Sequence, residues 1–362
     1  MTFPHLTQAR APLTSEIEAV NEYGELQSIS IPAERALTVY VDKRELVTLM
    51  TLGANPELLV LGYLRNQRLV REVTDIESIT VDWDVGAAAV KTRHGIHDIE
   101  EKTAHRVVTT GCGQGSVFGG LMDEVDRIKL PAEALITQSQ LYGLVNAIRL
   151  QETTYKSAGS VHACALFSTT SGKSEMLLFV EDVGRHNAID TIAGWMWLNM
   201  APTLPTACGS LPPGGAAAPA VWQSQPRGPG LQGVEASALP EGAAAPVDRQ
   251  SRVCGPGLGG GEAPTLVASA SQREISGAAG LVFYTTGRLT SEMVIKSAQM
   301  GVAVVVSRSG ITQMGHQVAQ LVGLCAIGRA TNKRFLCYTQ PQRLQLQPEL
   351  VSASLVAGAN PG

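Results

Sequence analysis

The chain has 362 residues, 28 Lys and Arg against 32 Asp and Glu for a net charge of −4, and 44% hydrophobic side chains. That balance excludes a general attraction to nucleic acid, so an anionic ligand has to be held by a local cluster of basic residues. No run approaches the roughly eighteen apolar residues of a membrane span, and residues 1–10 lack the apolar core of a secretion signal, so a cytoplasmic protein without membrane contact is expected. Six cysteines, Cys112, Cys164, Cys208, Cys254, Cys325 and Cys337, show no paired spacing and read as reduced thiols.

Residues 1–33 read as a tail and lead-in, and 34–104 as a small β-rich subdomain. In it Leu37 to Val41 and Leu46 to Met50 flank an Asp42-Lys43-Arg44 turn as a hairpin would. Asn55-Pro56-Glu57 supplies a cap, a first-turn proline and a first-turn acid for a helix, and strands follow near Ile76 to Trp83 and Ala87 to Lys91. From residue 105 to 200 the pattern alternates: a strand at Arg106 to Thr109, a helix at Ala134 to Leu150, strands at Ala163 to Ser168 and Met176 to Val180, and a helix at His186 to Leu198. Residues 201–280 break it. About half of them are Gly, Pro or Ala, with more than half of the chain's 19 prolines, a composition that cannot bury a core, so the segment reads as a disordered insertion within one domain. Over 281–344 the pattern resumes with a strand at Leu281 to Tyr284, a helix at Ser291 to Met300, a strand at Val302 to Val306, a helix at Gln313 to Val322 and a closing strand, and 345–362 form a C-terminal tail. Alternation implies layered α/β architecture, with helices flanking a mixed central sheet.

Four segments carry the chemistry. Thr109-Thr-Gly-Cys-Gly-Gln-Gly-Ser116 places Cys112 between glycines after a strand, which suits a sulfur carrier or nucleophile on a loop and equally a cysteine buried in a tight turn. Cys164, Cys325 and Cys337 lie in apolar contexts and are expected to be inert. His162 stands at the entrance of an apolar strand, where it could orient or transfer a proton or serve structure alone. Zinc-deaminase chemistry with His162 as ligand would need a downstream Pro-Cys-x-x-Cys, which the sequence lacks. Behind the strand at Met176 to Val180 come Glu181, Asp182, Arg185 and His186, where open α/β sheets bind ligands or where polar residues simply cap a helix. The fourth segment is a series of basic turns. Gly287 and Arg288 precede a helix start, Ser307 and Arg308 repeat the device after the next strand, and Arg329-Ala330-Thr331-Asn332-Lys333-Arg334 form a loop between two strands. If those strands are parallel neighbours, the turns share one sheet edge and form a pocket for a multiply phosphorylated ligand.

The ordered set of segments resembles the formate dehydrogenase accessory sulfurtransferases, the FdhD-type proteins. The resemblance rests on the Gly-Cys-Gly loop, Gly159 to His162, Glu181-Asp-Val-Gly-Arg-His-Asn187 with Asp190, Thr286-Gly-Arg-Leu-Thr-Ser-Glu-Met293 and Ser307-Arg-Ser309, with Met50, Pro56-Glu57 and Gly62-Tyr-Leu64 also fitting. It implies a cytidine-deaminase-like layered α/β core without zinc or any other intrinsic metal. It also implies a sulfur carrier that takes persulfide sulfur from a cysteine desulfurase and passes it to the molybdenum or tungsten bis(molybdopterin guanine dinucleotide) cofactor, its bound substrate, for formate dehydrogenase. On that reading Cys112 carries the persulfide and the loop Arg329 to Arg334 meets the guanine dinucleotide, with Asn332 a candidate contact to the guanine base and Asp182 a weaker one. Many relatives have Cys-x-x-Cys where this chain has Cys112-Gly-Gln-Gly115, which removes the thiol that would discharge the persulfide. The rival reading is a chaperone that binds the molybdenum cofactor without transferring sulfur. A monomer and a homodimer both remain compatible with the sequence.

Overall fold

The protein is described from a computed structural model, which covers residues 3–96, 107–108, 115–116, 125, 128–151, 154–200 and 278–350. Cys112 and all of the expected insertion up to residue 277 lie outside the described residues.

Five strands open the chain: β1 (His5–Leu6), β2 (Thr14–Val20), β3 (Leu26–Pro32), β4 (Arg35–Val41) and β5 (Arg44–Thr51). Helix α1 (Pro56–Asn66), β6 (Ile76–Asp82) and β7 (Ala87–Thr92) follow. β4 and β5 pair antiparallel about Asp42 and Lys43, whose φ angles of 47° and 73° suit the tight turn expected there. Leu37, Val39 and Val41 alternate inward along β4 and pack with Leu49, Ile76 and Ile79 against Leu59, Val60 and Leu64 of α1. The sheet has the order β1-β6-β7-β4-β5. The lead-in is more structured than the sequence suggested, since β1 joins this sheet and β2 pairs with β3 as a separate ribbon. The ribbon alternates polar and apolar residues, as in Glu16-Ile17-Glu18-Ala19 and Ser28-Ile29-Ser30-Ile31, but none of its residues is fully buried. Asn55 makes no side-chain cap to α1, and buried Glu57 instead accepts from Thr7 Oγ1 at 2.7 Å and the Ala9 amide at 2.6 Å, tying the lead-in down.

The short strands β8 (Val107–Val108) and β9 (Gly115–Ser116) pair with each other, and β10 (Ile136–Thr137) runs into α2 (Gln138–Gln151). The helix starts later than its apolar pattern suggested because Thr137 and Gln140 exchange hydrogen bonds, each side chain accepting from the other's backbone amide as in a capping box. Next come α3 (Thr154–Ala158), β11 (His162–Ser168), β12 (Glu175–Asp182) and α4 (Arg185–Asn199). The last elements are β13 (Leu281–Thr285), α5 (Ser291–Gln299), β14 (Val304–Ser307), α6 (Gln313–Leu321), β15 (Cys325–Thr331), β16 (Arg334–Cys337) and β17 (Leu344–Gln345).

Six of these strands form the main sheet in the order β12-β11-β13-β14-β15-β16. β11 is antiparallel to both its neighbours, β13, β14 and β15 are mutually parallel, and β16 returns antiparallel. The C-terminal ends of β12, β13, β14 and β15 therefore share one edge with the start of β11. Both faces are covered, as the near-continuous apolar strands require. Phe283, Val305 and Ala326 pack with Ile189, Met293 and Val318 of α4, α5 and α6, while Tyr284, Val306 and Ile327 pack with Leu141, Leu144 and Ile148 of α2.

Helix α4 also meets α1, joining the small sheet to the large one. A Cβ on Gly62 would fall 1.6 Å from the Asp190 carbonyl oxygen, and one on Gly194 would fall 2.0 Å from that of Leu58. The helices cross on these two glycines, where no larger residue fits.

Candidate functional site

Strand ends and turns assemble the site at the shared edge of the main sheet. The turn after β13 is anchored to β11: the Thr286 amide donates to the Ala163 carbonyl at 2.9 Å and the Ala163 amide donates to Thr286 Oγ1 at 3.0 Å. The turn after β14 is anchored to it in turn, with Ser307 Oγ donating to the Gly287 carbonyl at 2.7 Å and Ser309 Oγ to the Thr286 carbonyl at 2.8 Å. The Arg329 amide donates to the Ser309 carbonyl at 2.6 Å, and a bulge between Gly328 and Thr331, with Arg329 at φ 51°, ends β15 beside it.

These turns enclose a cavity of about 380 Å³, lined by Tyr155, Val161, His162, Ala163, Thr286, Arg308, Ser309 and Thr331. The volume lies within the range of small-ligand sites. His162 is half-buried, and desolvation together with the nearby charges of Arg185 and Arg288 lowers its pKa, so its imidazole is neutral at neutral pH and can donate one hydrogen bond and accept another. Tyr155 owes its position to Glu181, whose carboxylate accepts from the Thr154 amide at 2.8 Å and the Tyr155 amide at 3.1 Å. Behind the wall sits Arg185, 4% exposed, with its Nε buried and without a hydrogen-bond partner. Its chain runs against Gly287, where a Cβ would lie 2.9 Å from Arg185 Cδ, so only glycine lets the guanidinium reach this place.

Of the residues singled out in sequence, His162, Arg308 and Thr331 line the cavity, Arg185 and Arg288 act on His162 from close by, and Gly287 makes room for Arg185. Arg329, Asn332, Lys333 and Arg334 are exposed on the β15–β16 hairpin and outside the cavity wall. The tip leans on α2, where Tyr142 Oη donates to the Lys333 carbonyl at 3.1 Å.

Four expected contact residues are corrected because their polar atoms or side chains belong to the interior. Asp182 is buried and accepts from Thr51 Oγ1, the Leu52 amide, the Gly184 amide and Asn187 Nδ2, which uses both its oxygens and leaves no place for a base. Burial nevertheless pushes its pKa up to about 6 against the pull of those donors. His186 is turned away, its Nε2 lying 3.3 Å from Glu292 Oε2 with both side chains buried. Ser307 is buried and holds the two turns together, accepting from the Ser309 amide as well as donating to Gly287. Ala330 is 1% exposed in the core on the α2 side of the sheet.

Sequence reasoning passed over Tyr155, Thr286 and Ser309 as contacts, although Thr286 and Ser309 stand beside the glycine and arginine that drew attention. It also passed over a buried charge network. Lys296 Nζ lies 2.9 Å from Asp190 Oδ2 and 3.3 Å from Glu292 Oε1, and Asn66 Nδ2 donates to Asp190 Oδ1 at 2.7 Å. The thiols differ from one another in their surroundings. Cys164 is fully buried, which pushes its pKa up to about 12, whereas Cys337 is half-buried and contact with the Cys325 sulfur lowers its pKa.

Fold and site together define a mixed α/β protein with a basic cavity at the C-terminal edge of its main sheet. A model of the FdhD/NarQ family matches residues 32–207 and 266–345, and the chain belongs to that family. The sulfur carrier protein FdhD of Bacillus subtilis (strain 168) is 24% identical over 332 residues, covering 90% of this chain and 94% of its own length. The protein of the same name from Listeria innocua serovar 6a is 29% identical over 177 residues, 48% of this chain and 66% of its own. The fold is similar to the crystal structure of a Desulfotalea psychrophila protein assigned as a formate dehydrogenase accessory protein, with a TM-score of 0.56 and 16% identity over 92% of this chain and all of the other.

Proposed function

We propose that this protein is a cytoplasmic sulfur carrier for the maturation of formate dehydrogenase. Cys112 takes persulfide sulfur from a cysteine desulfurase and passes it to the molybdenum or tungsten bis(molybdopterin guanine dinucleotide) cofactor, and the layered core is of the cytidine-deaminase type. The names of the relatives support sulfur carriage, and one observation supports the ligand: Arg308 lines a cavity together with neutral His162, and the charges of Arg185 and Arg288 act on that histidine from close by. Cationic side chains and an imidazole N–H suit phosphate oxygens, and a buried guanidinium with an unpartnered Nε close behind the wall favours an anion nearby. At about 380 Å³ the cavity has room for part of a guanine dinucleotide, with the exposed Arg329, Lys333 and Arg334 available to the remainder.

The decisive experiment is mass spectrometry of the protein after incubation with a cysteine desulfurase and cysteine. A gain of one sulfur atom on Cys112, lost in Cys112→Ala, is the expected result. Undiminished sulfur uptake by the variant would refute the assignment. A variant that takes up no sulfur yet still supports formate dehydrogenase maturation would favour the chaperone reading.

A further inference from the structure

Two thiols face each other across the β15–β16 hairpin, at the opposite end of these strands from its basic turn. Cys325 opens β15 and Cys337 closes β16. Ile327 pairs with Cys337 in the antiparallel ladder, so Cys325, two residues earlier, emerges on the same face and is diagonal to Cys337. Their sulfurs are 3.9 Å apart, in non-bonded contact. Cys325 is fully buried, whereas Cys337 is half-buried and so open to a small reagent. Contact between the two sulfurs lowers the pKa of Cys337 and raises that of Cys325. One thiol is therefore placed to attack and the other to resolve.

We propose that Cys325 and Cys337 form a redox-active dithiol that reacts with low-molecular-weight disulfides and closes to an intrachain disulfide across the hairpin. The Cys337 thiolate attacks one sulfur of the small disulfide, forming a mixed disulfide and expelling one small thiolate. Cys325 then loses its proton to that thiolate and attacks Cys337 Sγ, forming the Cys325–Cys337 bond and expelling the second thiolate. Two electrons pass from the protein dithiol to the small disulfide, which leaves as two thiols carrying the two protons. Closure needs the sulfurs to move from 3.9 Å to about 2.05 Å. The reaction is separate from sulfur carriage on Cys112, and it staples the strands whose connecting turn bears Asn332 and Lys333.

The test uses the reduced full-length protein, exposed to oxidised glutathione, then blocked with N-ethylmaleimide, digested and analysed by mass spectrometry. A peptide linking Cys325 to Cys337 that disappears on treatment with dithiothreitol is expected from the unaltered protein. Cys325→Ser should stop at a glutathione adduct on Cys337, and Cys337→Ser should leave Cys325 without an adduct. Recovery of the unaltered protein with Cys337 carrying maleimide, or glutathione alone, and no linked peptide would overturn the proposal. A linked peptide that joins either thiol to a different cysteine in preference would overturn it equally.

Discussion

The ammonium of Lys296 lies 2.9 Å from a carboxylate oxygen of Asp190, and neither side chain reaches solvent. Burial works against the lysine charge, but Asp190 and Glu292 outweigh it and hold the ammonium above its ordinary pKa range. The pair joins α4 to α5, and Asn66 extends it to α1 through the other Asp190 oxygen. Lys296→Met removes the cation and leaves two buried carboxylates facing each other, which costs about 3 to 5 kcal/mol when one partner of a buried pair is lost. Chemical denaturation should show a loss of that size, with much of it recovered in Lys296→Met combined with Asp190→Asn. An unchanged midpoint in the single variant would mean that the network does not hold the helices together.

The same aspartate bears on the helix crossing through its backbone. With a Cβ on Gly62 placed 1.6 Å from the Asp190 carbonyl oxygen, Gly62→Ala has to push α1 away from α4. Overpacking of this kind costs about 1 to 3 kcal/mol, and here the obstacle is backbone, which cannot rotate aside. Gly143→Ala is the matched control, since a Cβ there meets only Ser174 at 3.9 Å on an otherwise similar helical position. Thermal unfolding should show Gly62→Ala melting well below the unaltered protein and Gly143→Ala at or above it. Equal melting temperatures would show that the two helices can separate without loss.

Much of this arrangement was legible in the chain. Glycine and arginine after each apolar run marked the turns at Gly287, Arg308 and Arg329, and three parallel strands did bring their ends together. Which way each side chain points was not legible at Ser307, Ala330 and His186. Strands buried on both faces carry no alternation to set their phase, so Ser307 and Ala330 could not be assigned to a face from sequence. On α5 the stripe Glu292, Lys296 and Gln299 has the spacing of a solvated helix face, yet all three are buried. The covering element is α4, and its ion partners Asp190 and His186 lie about a hundred positions earlier, beyond any local pattern.

His186 gives a pH-dependence with a definite sign. Burial is the largest influence on it, and the favourable charge of Glu292 does not offset this, so its pKa falls from 6.5 to about 4. Between those values the unfolded chain binds a proton that the folded protein refuses, so stability is lost as pH drops through that window. Asp182 acts in reverse, since a pKa raised from 3.8 to about 6 makes the fold the better proton binder and adds stability over nearly the same range. The two slopes oppose each other in the unaltered protein. In His186→Gln only the histidine slope is removed, so the stability of the unaltered protein relative to the variant should fall by about 3 kcal/mol between pH 7 and pH 4. Denaturation curves at the two pH values measure this directly, and a constant difference would place the neutral histidine elsewhere.

The cavity makes a sharper claim about ligand contacts than the count of basic residues does. Arg308 lines it, whereas Arg334 is exposed on the hairpin outside its wall. Guanosine diphosphate stands in for half of the proposed cofactor. Losing one charge-assisted contact to a phosphate costs about 1.5 to 3 kcal/mol, so Arg308→Ala should weaken binding roughly ten- to a hundredfold. Arg334→Ala should weaken it less, because an exposed charge acts through screening solvent. Exposed Arg71, just beyond α1 and outside the cavity wall, is the control, and Arg71→Ala should bind as the unaltered protein does. Calorimetric titration of the four proteins decides the order of effects. Equal losses from Arg308→Ala and Arg71→Ala would remove the cavity from the binding site, and adenosine diphosphate binding as tightly as the guanine nucleotide would remove guanine from the ligand.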